Sequence, residues 1–348
     1  MFAGVRTEQE VVEALRWAAG AQQSVVVLGG GSNVVVADSG LRALVLQLLL
    51  REVTVQKDGR DVLVTAGAGV EWDALVTQCV REGWAGVECL AGIPGFVGAA
   101  PIQNIGAYGQ QVGGVVKRVR VWDRRAGRVA DLSASECGFG YRTSTFKRDS
   151  SQQRIVLDVT LRLRPGGAAT VRYAELARST IADSSLAAVR AKVLALRRAK
   201  SMVINPADPN SRSVGSFFVN PILDAAAVAV VEQKIARAGI DPLAMPRWES
   251  AKGQIKLAAA WLIERAGLVK GYRLGPAGLS TRHTLAVVNL GTARAIDVVE
   301  LAAHVRDTVR RRFGVFLVPE PVFLGFSWPT LKLLDETSRL GGMPGSSC

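Results

Sequence analysis

The chain has 348 residues, of which 49% are hydrophobic, 21% charged and 6% aromatic. This composition excludes a disordered chain, because enough apolar surface is present to form cores, and the length indicates two or three domains. Lysine and arginine number 43 against 30 aspartates and glutamates, and the net charge of +13 favours an anionic partner such as a nucleic acid, a phosphate ligand or a membrane surface. Arginine-rich codon usage explains the same charge equally well.

The apolar stretches are short, and Gln47 interrupts one of the longest, residues 43–50. A membrane-spanning helix needs about 20 consecutive apolar residues, so we expect no membrane insertion. Residues 1–10 lack the apolar segment of a secretory signal, and we expect a cytoplasmic protein. No cysteine pair has C-x-x-C spacing, so we expect no metal site; the cysteines are Cys79, Cys89, Cys137 and Cys348.

Hydrophobic periodicity predicts the elements of the first 204 residues in chain order. Thr7 and Glu10 form a capping-box pattern at the start of a helix that ends at Gly20. A buried, β-branched strand at 24–28 runs into a glycine-rich loop. Further strands are predicted at 34–37, 41–48, 52–57, 61–65, 115–123 and 154–164, and helices at about 72–82 and 186–200.

The second half of the chain begins after a predicted linker at 205–210, which is rich in Asn, Asp and Pro. Helices are predicted at 225–238, 256–266 and 296–312, and strands at 285–289 and 316–318. Gly267 and Gly314 lie where C-cap glycines belong. From residue 327 the chain contains Gly, Ser and Pro and is predicted to be a flexible tail.

The first candidate binding motif is the run Gly29-Gly30-Gly31-Ser32-Asn33. Successive glycines let backbone N–H groups approach an anion closely, and Ser32 and Asn33 add side-chain donors. A dinucleotide fingerprint would open a helix, whereas a predicted strand follows here, and no phosphate-binding P-loop motif occurs. A tight turn between two strands is the alternative interpretation.

The second candidate motif is the glycine-dense stretch from Leu90 to Gly109. Its glycines permit close contact between backbone and ligand, and Gln103, Asn104 and Tyr108 provide polar groups. A purely structural glycine loop is the alternative, although one of this length is uncommon.

Both motifs belong to a longer series that occurs in the order of a known family. The other members are GYRTSTFK at 140–147, VGSFFVNP at 214–221, KLAAAWLIERAG at 256–267 and VPEPVFLG at 318–325. Over residues 7–325 the chain resembles the UDP-N-acetylenolpyruvoylglucosamine reductases, also called UDP-N-acetylmuramate dehydrogenases, in their type I form.

The resemblance implies an α+β fold. A two-lobed FAD-binding domain of the vanillyl-alcohol-oxidase type would span 1–204, with lobes at about 1–50 and 51–204. A smaller α/β substrate-binding domain would span 211–318, a C-terminal segment 319–326, and the flexible tail 327–348. Family members usually begin with an Asn-Thr-Phe-like strand before the first helix, whereas this chain starts almost at that helix. Either part of one sheet of the FAD-binding domain is missing, or the start codon is misplaced.

The resemblance also implies FAD as cofactor and NADPH as co-substrate. We expect FAD to be held non-covalently, because neither His283 nor His304 is near a flavin motif. The residues expected to bind FAD are Gly29, Gly30, Gly31, Ser32, Asn33, Gly92, Ile93, Pro94, Gly95, Gly98, Pro101, Ile102, Gln103, Gly106 and Tyr108.

Three catalytic residues follow from the same motifs. Arg142 would stabilise negative charge on the substrate, Ser216 would protonate a substrate carbon, and Glu320 would stabilise the enol intermediate. Taken by themselves, Arg142 could form a surface ion pair, Ser216 a turn and Glu320 a solvated loop residue. The residues expected to bind substrate are Tyr141, Tyr173, Lys200, Asn220, Trp248 and His283.

The implied reaction runs in two halves: NADPH reduces the flavin, and the flavin then reduces a UDP-sugar enolpyruvyl ether. Val219, Trp248 and Val322 stand where the family often has lysine, tyrosine and arginine, which puts ligand affinity in doubt more than the chemistry. We expect a monomer with no nucleic-acid partner. The alternatives are an FAD-dependent oxidase, a non-catalytic flavin or nucleotide binder eroded at its N-terminus, and a basic nucleic-acid-binding protein.

Overall fold

The computed structural model describes residues 1–149, 153–172, 174–177 and 184–334. The chain forms two compact units. The first comprises residues 1–32 and 42–203, and the second comprises residues 33–41 and the chain from Ile204 onward. The chain therefore enters the second unit briefly after Ser32, returns to the first, and leaves it again after Val203.

The secondary structure mixes many short strands with helices. The strands are β1 (Phe2–Val5), β2 (Val25–Leu28), β3 (Val34–Val36), β4 (Leu44–Leu48), β5 (Val53–Asp58), β6 (Asp61–Gly67), β7 (Trp84–Ala85), β8 (Gly106–Ala107), β9 (Gln110–Gln111), β10 (Val116–Asp123), β11 (Arg128–Ser133), β12 (Arg154–Pro165), β13 (Ser213–Ser216), β14 (Ile222–Leu223), β15 (Arg247–Glu249), β16 (Ile255–Leu257), β17 (Arg273–Leu274), β18 (Ala277–Leu279), β19 (Ala286–Asn289) and β20 (Val322–Leu324). The helices are α1 (Glu8–Gly20), α2 (Trp72–Arg81), α3 (Ala100–Gln103), α4 (Thr145–Arg148), α5 (Ala174–Ala177), α6 (Leu186–Ala199), α7 (Ala225–Arg237), α8 (Ala259–Arg265), α9 (Ala295–Phe313) and α10 (Trp328–Leu331).

The first unit contains a small parallel sheet and a larger antiparallel one. The parallel sheet has the order β1-β4-β2, and the larger sheet runs β11-β10-β12-β6-β5 with β7 paired to β12. In β4 alternate residues are buried, as the period of two in a strand requires. The larger core lies between the antiparallel sheet and the helices α2 and α6, and a smaller core joins β4 to α1.

The second unit is built around α9, a 19-residue helix. Its sheets are β13-β19-β18-β17 and β14-β16-β15, and a separate parallel pair joins β3 to β20. Through β3, Val35 enters the core of this unit together with residues of α7, α8 and α9. Asp38 accepts a hydrogen bond from the N–H of Ala295 (2.9 Å), so the segment 33–41 also caps the start of α9.

A short strand, β1, precedes α1, although no strand was predicted there. Phe2–Val5 forms β1, which pairs in parallel with β4. Val5 is buried, whereas Phe2 is exposed. Four residues that include a glycine are too few to show a strand period, and the strand forms because the buried β4 offers it an edge.

Several other boundaries differ from the sequence predictions. Ile255–Leu257 is strand β16, so α8 begins only at Ala259. Residues 316–318 are not a strand; they contribute a hydrogen bond from the N–H of Val219 to the carbonyl of Val318 (3.0 Å). β11 was not predicted. Residues 328–334 are helical and Leu334 is buried, although a flexible tail was predicted from 327; residues 335–348 lie outside the described part.

The predicted linker at 205–210 is an ordered part of the second unit. The side chain of Asn210 accepts hydrogen bonds from the hydroxyl of Ser280 (3.0 Å) and from the N–H (2.9 Å) and hydroxyl (3.1 Å) of Thr281. Asn210 therefore holds the loop that precedes His283, a role that its Pro- and Asp-rich surroundings do not indicate.

Candidate active site

In the first unit, the two glycine motifs lie against one another. A Cβ on Gly30 would lie 2.9 Å from the Cα of Gly95, and one on Gly95 would lie 2.9 Å from the Oγ of Ser32. Gly95 also has a φ of 112°, which L side chains rarely adopt. The hydroxyl of Ser32 donates to the carbonyl of Pro94 (3.2 Å). Glycine is therefore required here because two backbone segments approach each other closely.

Helix α2 holds the second glycine motif in place through hydrogen bonds. The carboxylate of Asp73 accepts a short hydrogen bond from the N–H of Gly92 (2.6 Å), and the N–H of Trp72 donates to the carbonyl of Gly95 (3.0 Å). The Trp72 side chain is buried, and its indole N–H donates to the carbonyl of Leu90 (3.0 Å). Asp73 and Trp72 were not singled out by sequence reasoning, because an acid in the first turn of a helix is ordinary.

The residues present fit an anionic cofactor. Among the described residues, nothing accepts a hydrogen bond from the backbone N–H groups of Gly30, Gly31 or Ser32, so three successive donors are available. Arg197 is 9% exposed, and its Nε has no partner in the described structure although its Nη2 donates to the carbonyl of Met202 (2.7 Å). A Cβ on Gly92 would lie 3.3 Å from that Nε.

Burial lowers the pKa of the Arg197 guanidinium below its ordinary value. An anion bound beside it would oppose that effect, since a nearby opposite charge favours the charged form. Arg197 was not among the predicted site residues, because it lies in an arginine-rich run that resembles a solvated helix face. A glycine loop with free donors and a buried arginine with an unused donor both suit a pyrophosphate.

The rest of the predicted flavin segment follows the loop. Gly98, in the 3-10 turn Val97–Ala99, packs so tightly that its Cβ would lie 2.6 Å from the Cβ of Ala68. Gly29 accepts a hydrogen bond at its carbonyl from Gln47 (3.1 Å). The remaining predicted FAD residues of this segment belong to the same unit; they are Ile93, Pro101, Ile102, Gln103, Gly106 and Tyr108.

Arg142 lies beside this segment in an unusual backbone conformation. Its φ is 52°, in the left-handed region that few non-glycine residues occupy. Its Nη2 donates to the carbonyl of Gly106 (2.9 Å), and its guanidinium lies 5.9 Å from the ring centre of Tyr141. The structure thus brings the predicted catalytic arginine to the predicted flavin segment, within one unit.

Of the other predicted substrate residues in the first unit, Lys200 is close to Tyr108. The Lys200 ammonium lies 5.9 Å from the ring centre of Tyr108 and forms an ion pair with Glu175 (2.9 Å). Tyr173 lies outside the described residues.

In the second unit, the backbone brings Ser216 and Glu320 close together. Ser216 ends β13 and pairs with Ala286 of β19. The N–H of Glu320 donates to the carbonyl of Phe217 (2.8 Å), the residue after Ser216. Phe217 and Phe218 are buried, with ring centres 5.3 Å apart, so this backbone is held by the core. Ser216 and Glu320 are 104 positions apart in the sequence, and only the fold shows that they are neighbours.

Asn33, predicted to bind FAD, lies in the second unit next to Glu320. Its carbonyl accepts from the N–H of Val322 (3.0 Å), and its side-chain amide donates to the carbonyl of Glu320 (3.4 Å). These contacts arise because β3 pairs with β20. Asn33 therefore lies just before β3, and Glu320 lies two residues before its partner strand β20.

The other predicted substrate residues of the second unit lie on different elements. The Asn220 side chain accepts from the N–H of Ala259 (2.9 Å) at the start of α8. Trp248, in β15, is 39% exposed and lies under the ammonium of Lys256, 5.3 Å from the ring centre. His283 lies in the loop before β19, and its carbonyl accepts from the N–H of Ala286 (3.0 Å).

Within the described ranges, no cluster of three or more His, Cys, Asp or Glu side chains could hold a metal ion. None of the helices in those ranges combines the length and the hydrophobicity that crossing a membrane requires.

The comparisons with known proteins agree with this geometry. The family model of the FAD binding domain matches residues 1–133, and the family model described as UDP-N-acetylenolpyruvoylglucosamine reductase, C-terminal domain, matches residues 207–324. A flavin-binding domain followed by a reductase domain defines the chain as an FAD-dependent oxidoreductase.

Relatives cover nearly the whole chain. A UDP-N-acetylenolpyruvoylglucosamine reductase of Thermobifida fusca is 47% identical over 93% of this chain and 92% of its own length. One of Saccharopolyspora erythraea is 46% identical over 93% and 90%. The crystal structure of the enzyme from Thermus caldophilus aligns with a TM-score of 0.62 at 26% identity, over 93% of this chain and 91% of that one. The chain belongs to the UDP-N-acetylenolpyruvoylglucosamine reductase family, which confirms the predicted family, the α+β fold, the enzyme class and the FAD cofactor.

Proposed function

We propose that this chain reduces UDP-N-acetylglucosamine enolpyruvate to UDP-N-acetylmuramate with NADPH as the electron donor. The reaction would serve peptidoglycan precursor synthesis, and we propose that the chain acts in the cytoplasm as a monomer. The observation that carries the proposal is the hydrogen bond between the Glu320 N–H and the Phe217 carbonyl (2.8 Å), which supports a shared site for Glu320 and Ser216, the residue before Phe217. Membership of the reductase family supports the choice of substrate.

FAD would be held by the first unit. The donors available to its pyrophosphate are the backbone N–H groups of Gly30, Gly31 and Ser32, together with the Nε of Arg197. A bound FAD would supply the hydride carrier that links NADPH to the enolpyruvyl group. Because a flavin ring must be reached by two substrates in turn, the chain's own residues have to bind each of them and control protons.

Each catalytic residue has a chemical role that suits its surroundings. Arg142 keeps its charge at any physiological pH and presents a planar fork of donors, which suits the carboxylate of the pyruvyl group. Ser216 would donate a proton to the substrate carbon that bears the ether oxygen, next to the carbon that receives the hydride. Glu320 would stabilise the enol intermediate through a hydrogen bond. Lys200 would bind the substrate carboxylate, and Tyr141, Tyr173, Asn220, Trp248 and His283 would contribute to substrate binding.

Absorption spectroscopy of the purified protein tests this function. We expect flavin absorbance in the visible that bleaches with NADPH under anaerobic conditions and recovers when the enolpyruvyl sugar nucleotide is added. Recovery only with molecular oxygen would favour an FAD oxidase, and a flavin that never bleaches would favour a non-catalytic binder.

Replacement of the proton donor separates the two half-reactions. Ser216→Ala should leave bleaching by NADPH unchanged and slow the recovery by at least about a hundredfold, the usual loss for one polar group that acts only in the transition state. Ser39→Ala is the matched control, because Ser39 is an exposed serine of the same unit. Recovery of Ser216→Ala at the parental rate would remove Ser216 from the mechanism.

A further inference from the structure

Lys147 connects two residues that the proposed reaction uses, although it was assigned no role above. It lies in α4, and its ammonium donates to the side-chain oxygen of Gln103 (3.0 Å) and to the backbone carbonyl of Arg142 (3.1 Å). Gln103 belongs to the predicted flavin segment and is buried, and Arg142 is the predicted catalytic arginine. The Lys147 ammonium is therefore hydrogen-bonded both to the predicted flavin segment and to the predicted catalytic residue.

Arg142 needs such support because its backbone is strained. A φ of 52° costs a non-glycine residue free energy and persists only where the surroundings hold it. The turn is closed by paired backbone hydrogen bonds between Gly140 and Thr143 (3.0 and 3.2 Å). The Arg142 carbonyl projects from that turn toward Lys147, while its guanidinium donates to Gly106. The residue is thus fixed at its backbone by Lys147 and at its tip by Gly106.

The helix that carries Lys147 is itself anchored to the flavin segment. The Ser144 hydroxyl donates to the carbonyl of Ile102 (2.7 Å) and accepts from the N–H of Lys147 (3.2 Å), which caps the start of α4. Phe146 is buried in the core of the first unit. The ammonium is therefore presented from a rigid base, which a positioning role requires.

We propose that Lys147 is a positioning residue: it fixes Gln103 and Arg142 relative to each other, and so sets how well Arg142 stabilises charge on the substrate. The proposal rests on the proposed function for the role of Arg142. A catalytic group that is displaced by about 1 Å can lose on the order of a hundredfold in rate, because the preorganised geometry is lost. The contact to Gln103 additionally predicts weaker FAD binding when the ammonium is removed.

The test compares three variants in the two half-reactions. Lys147→Met keeps the length of the side chain and removes the charge and the donors. Lys147→Arg keeps both, and is the conservative replacement. Lys117→Met is the matched control, because Lys117 is an exposed lysine of β10 in the same unit. The dissociation constant of FAD and the melting temperature of the apoprotein are measured for each.

We expect Lys147→Met to slow flavin recovery by the enolpyruvyl substrate by about a hundredfold, at little change in the substrate concentration for half-maximal rate. Bleaching by NADPH should stay within about threefold, and the FAD dissociation constant should rise by about tenfold, the equivalent of one hydrogen bond to a charged group. Lys147→Arg should restore recovery to within about fivefold, and Lys117→Met should match the parent.

Two outcomes overturn the proposal. In the first, Lys147→Met behaves like Lys117→Met in recovery and in FAD affinity. In the second, the rate of bleaching, the rate of recovery and the melting temperature all fall together in both Lys147 variants, which indicates a structural role only. If the parent itself does not recover with the enolpyruvyl substrate, the proposed function fails, and the FAD affinity of the variants still decides whether Lys147 positions Gln103.

Discussion

Glu88 is a buried carboxylate that joins three segments of the first unit. It is fully buried and accepts hydrogen bonds from the N–H of Gly86 (2.8 Å), the N–H of Thr170 (2.7 Å) and the side-chain amide of Gln110 (2.6 Å). Gln110 in turn accepts from the N–H of Cys89 (2.8 Å). The carboxylate thus ties the β8–β9 hairpin, which contains Tyr108, to the chain before Tyr173.

Removal of this carboxylate should destabilise the protein strongly. Glu88→Ala leaves one buried and two partly buried donors without an acceptor. Because one buried donor without a partner costs about 1–3 kcal/mol, we expect a loss of at least about 2 kcal/mol in the free energy of unfolding. Glu88→Gln keeps one accepting oxygen and should lose less. Urea denaturation measures both, with exposed Glu82→Ala as a control that should change by less than about 1 kcal/mol. Equal stability of Glu88→Ala and Glu82→Ala would show that the network contributes little.

Three buried cysteines make the free energy of unfolding depend on pH in the alkaline range. Burial raises the pKa of the Cys79 and Cys89 thiols to about 12 and that of Cys137 to about 11, from an ordinary value of 9.0. As pH rises from 9 toward 11, the unfolded chain loses these protons and the folded chain keeps them. The unfolded state therefore binds fewer protons, and the free energy of unfolding falls with pH across this window.

Urea denaturation at pH 8 and at about pH 10.5 measures this decrease in the free energy of unfolding, because the first pH lies below the ordinary thiol pKa and the second lies above it. Cys79→Ala, which removes one of the three thiols, should show a smaller decrease between the two pH values than the parent. The same decrease in both proteins would assign the pH dependence to other groups.

At the scale of elements, the proposed flavin site depends on the close approach of the two glycine loops. Gly30→Ala would put a methyl group 2.9 Å from the Cα of Gly95, and that backbone cannot move freely because the carbonyl of Gly95 is held by Trp72. We expect the FAD dissociation constant to rise by at least about tenfold, since an overpacked contact of this kind costs about 1–3 kcal/mol.

Gly20→Ala is the control for that variant. Nothing lies within 4 Å of the position that its Cβ would take at the end of α1. It should leave FAD binding unchanged and stabilise the helix slightly, because alanine favours a helix over glycine. Titration of the apoproteins with FAD, followed by flavin fluorescence, gives both constants; unaltered affinity in Gly30→Ala would place the cofactor elsewhere.

Elements with a clear local signal could be predicted from the sequence. Thr7 caps α1 through the N–H of Glu10 (3.1 Å), as the capping-box spacing predicts, and Gly314 ends α9 in the left-handed conformation. β16 was taken for the start of a helix because Ile255 to Leu257 continue the apolar pattern of α8. Its strand conformation comes from pairing with β14 and β15, which is not a local property.

At the scale of the whole molecule, the segment 33–41 is what sequence reasoning could not place. Its residues belong to the second unit because β3 pairs with β20, nearly 300 positions later, and because Asp38 caps α9. The periodicity of the sequence cannot indicate that two strands so far apart in the chain pair with each other. The individual candidate residues were predicted from motifs, whereas the proximity of Asn33, Glu320 and Ser216 in the chain's fold results from the topology.

The net charge of +13 leaves nucleic-acid binding as an alternative, which the salt dependence of binding can test. A protein that neutralises about 6–10 phosphates loses about 10³–10⁵ in affinity between 50 and 200 mM salt, through release of counterions. A sugar nucleotide with one diphosphate and one carboxylate needs only a few cations. We therefore expect the KM for the enolpyruvyl sugar nucleotide to rise by less than about tenfold over this range, and any binding of single-stranded DNA to disappear. DNA binding that persists at 200 mM salt, together with a KM that does not respond to added DNA, would mean that a second, nucleic-acid-binding activity accounts for the charge.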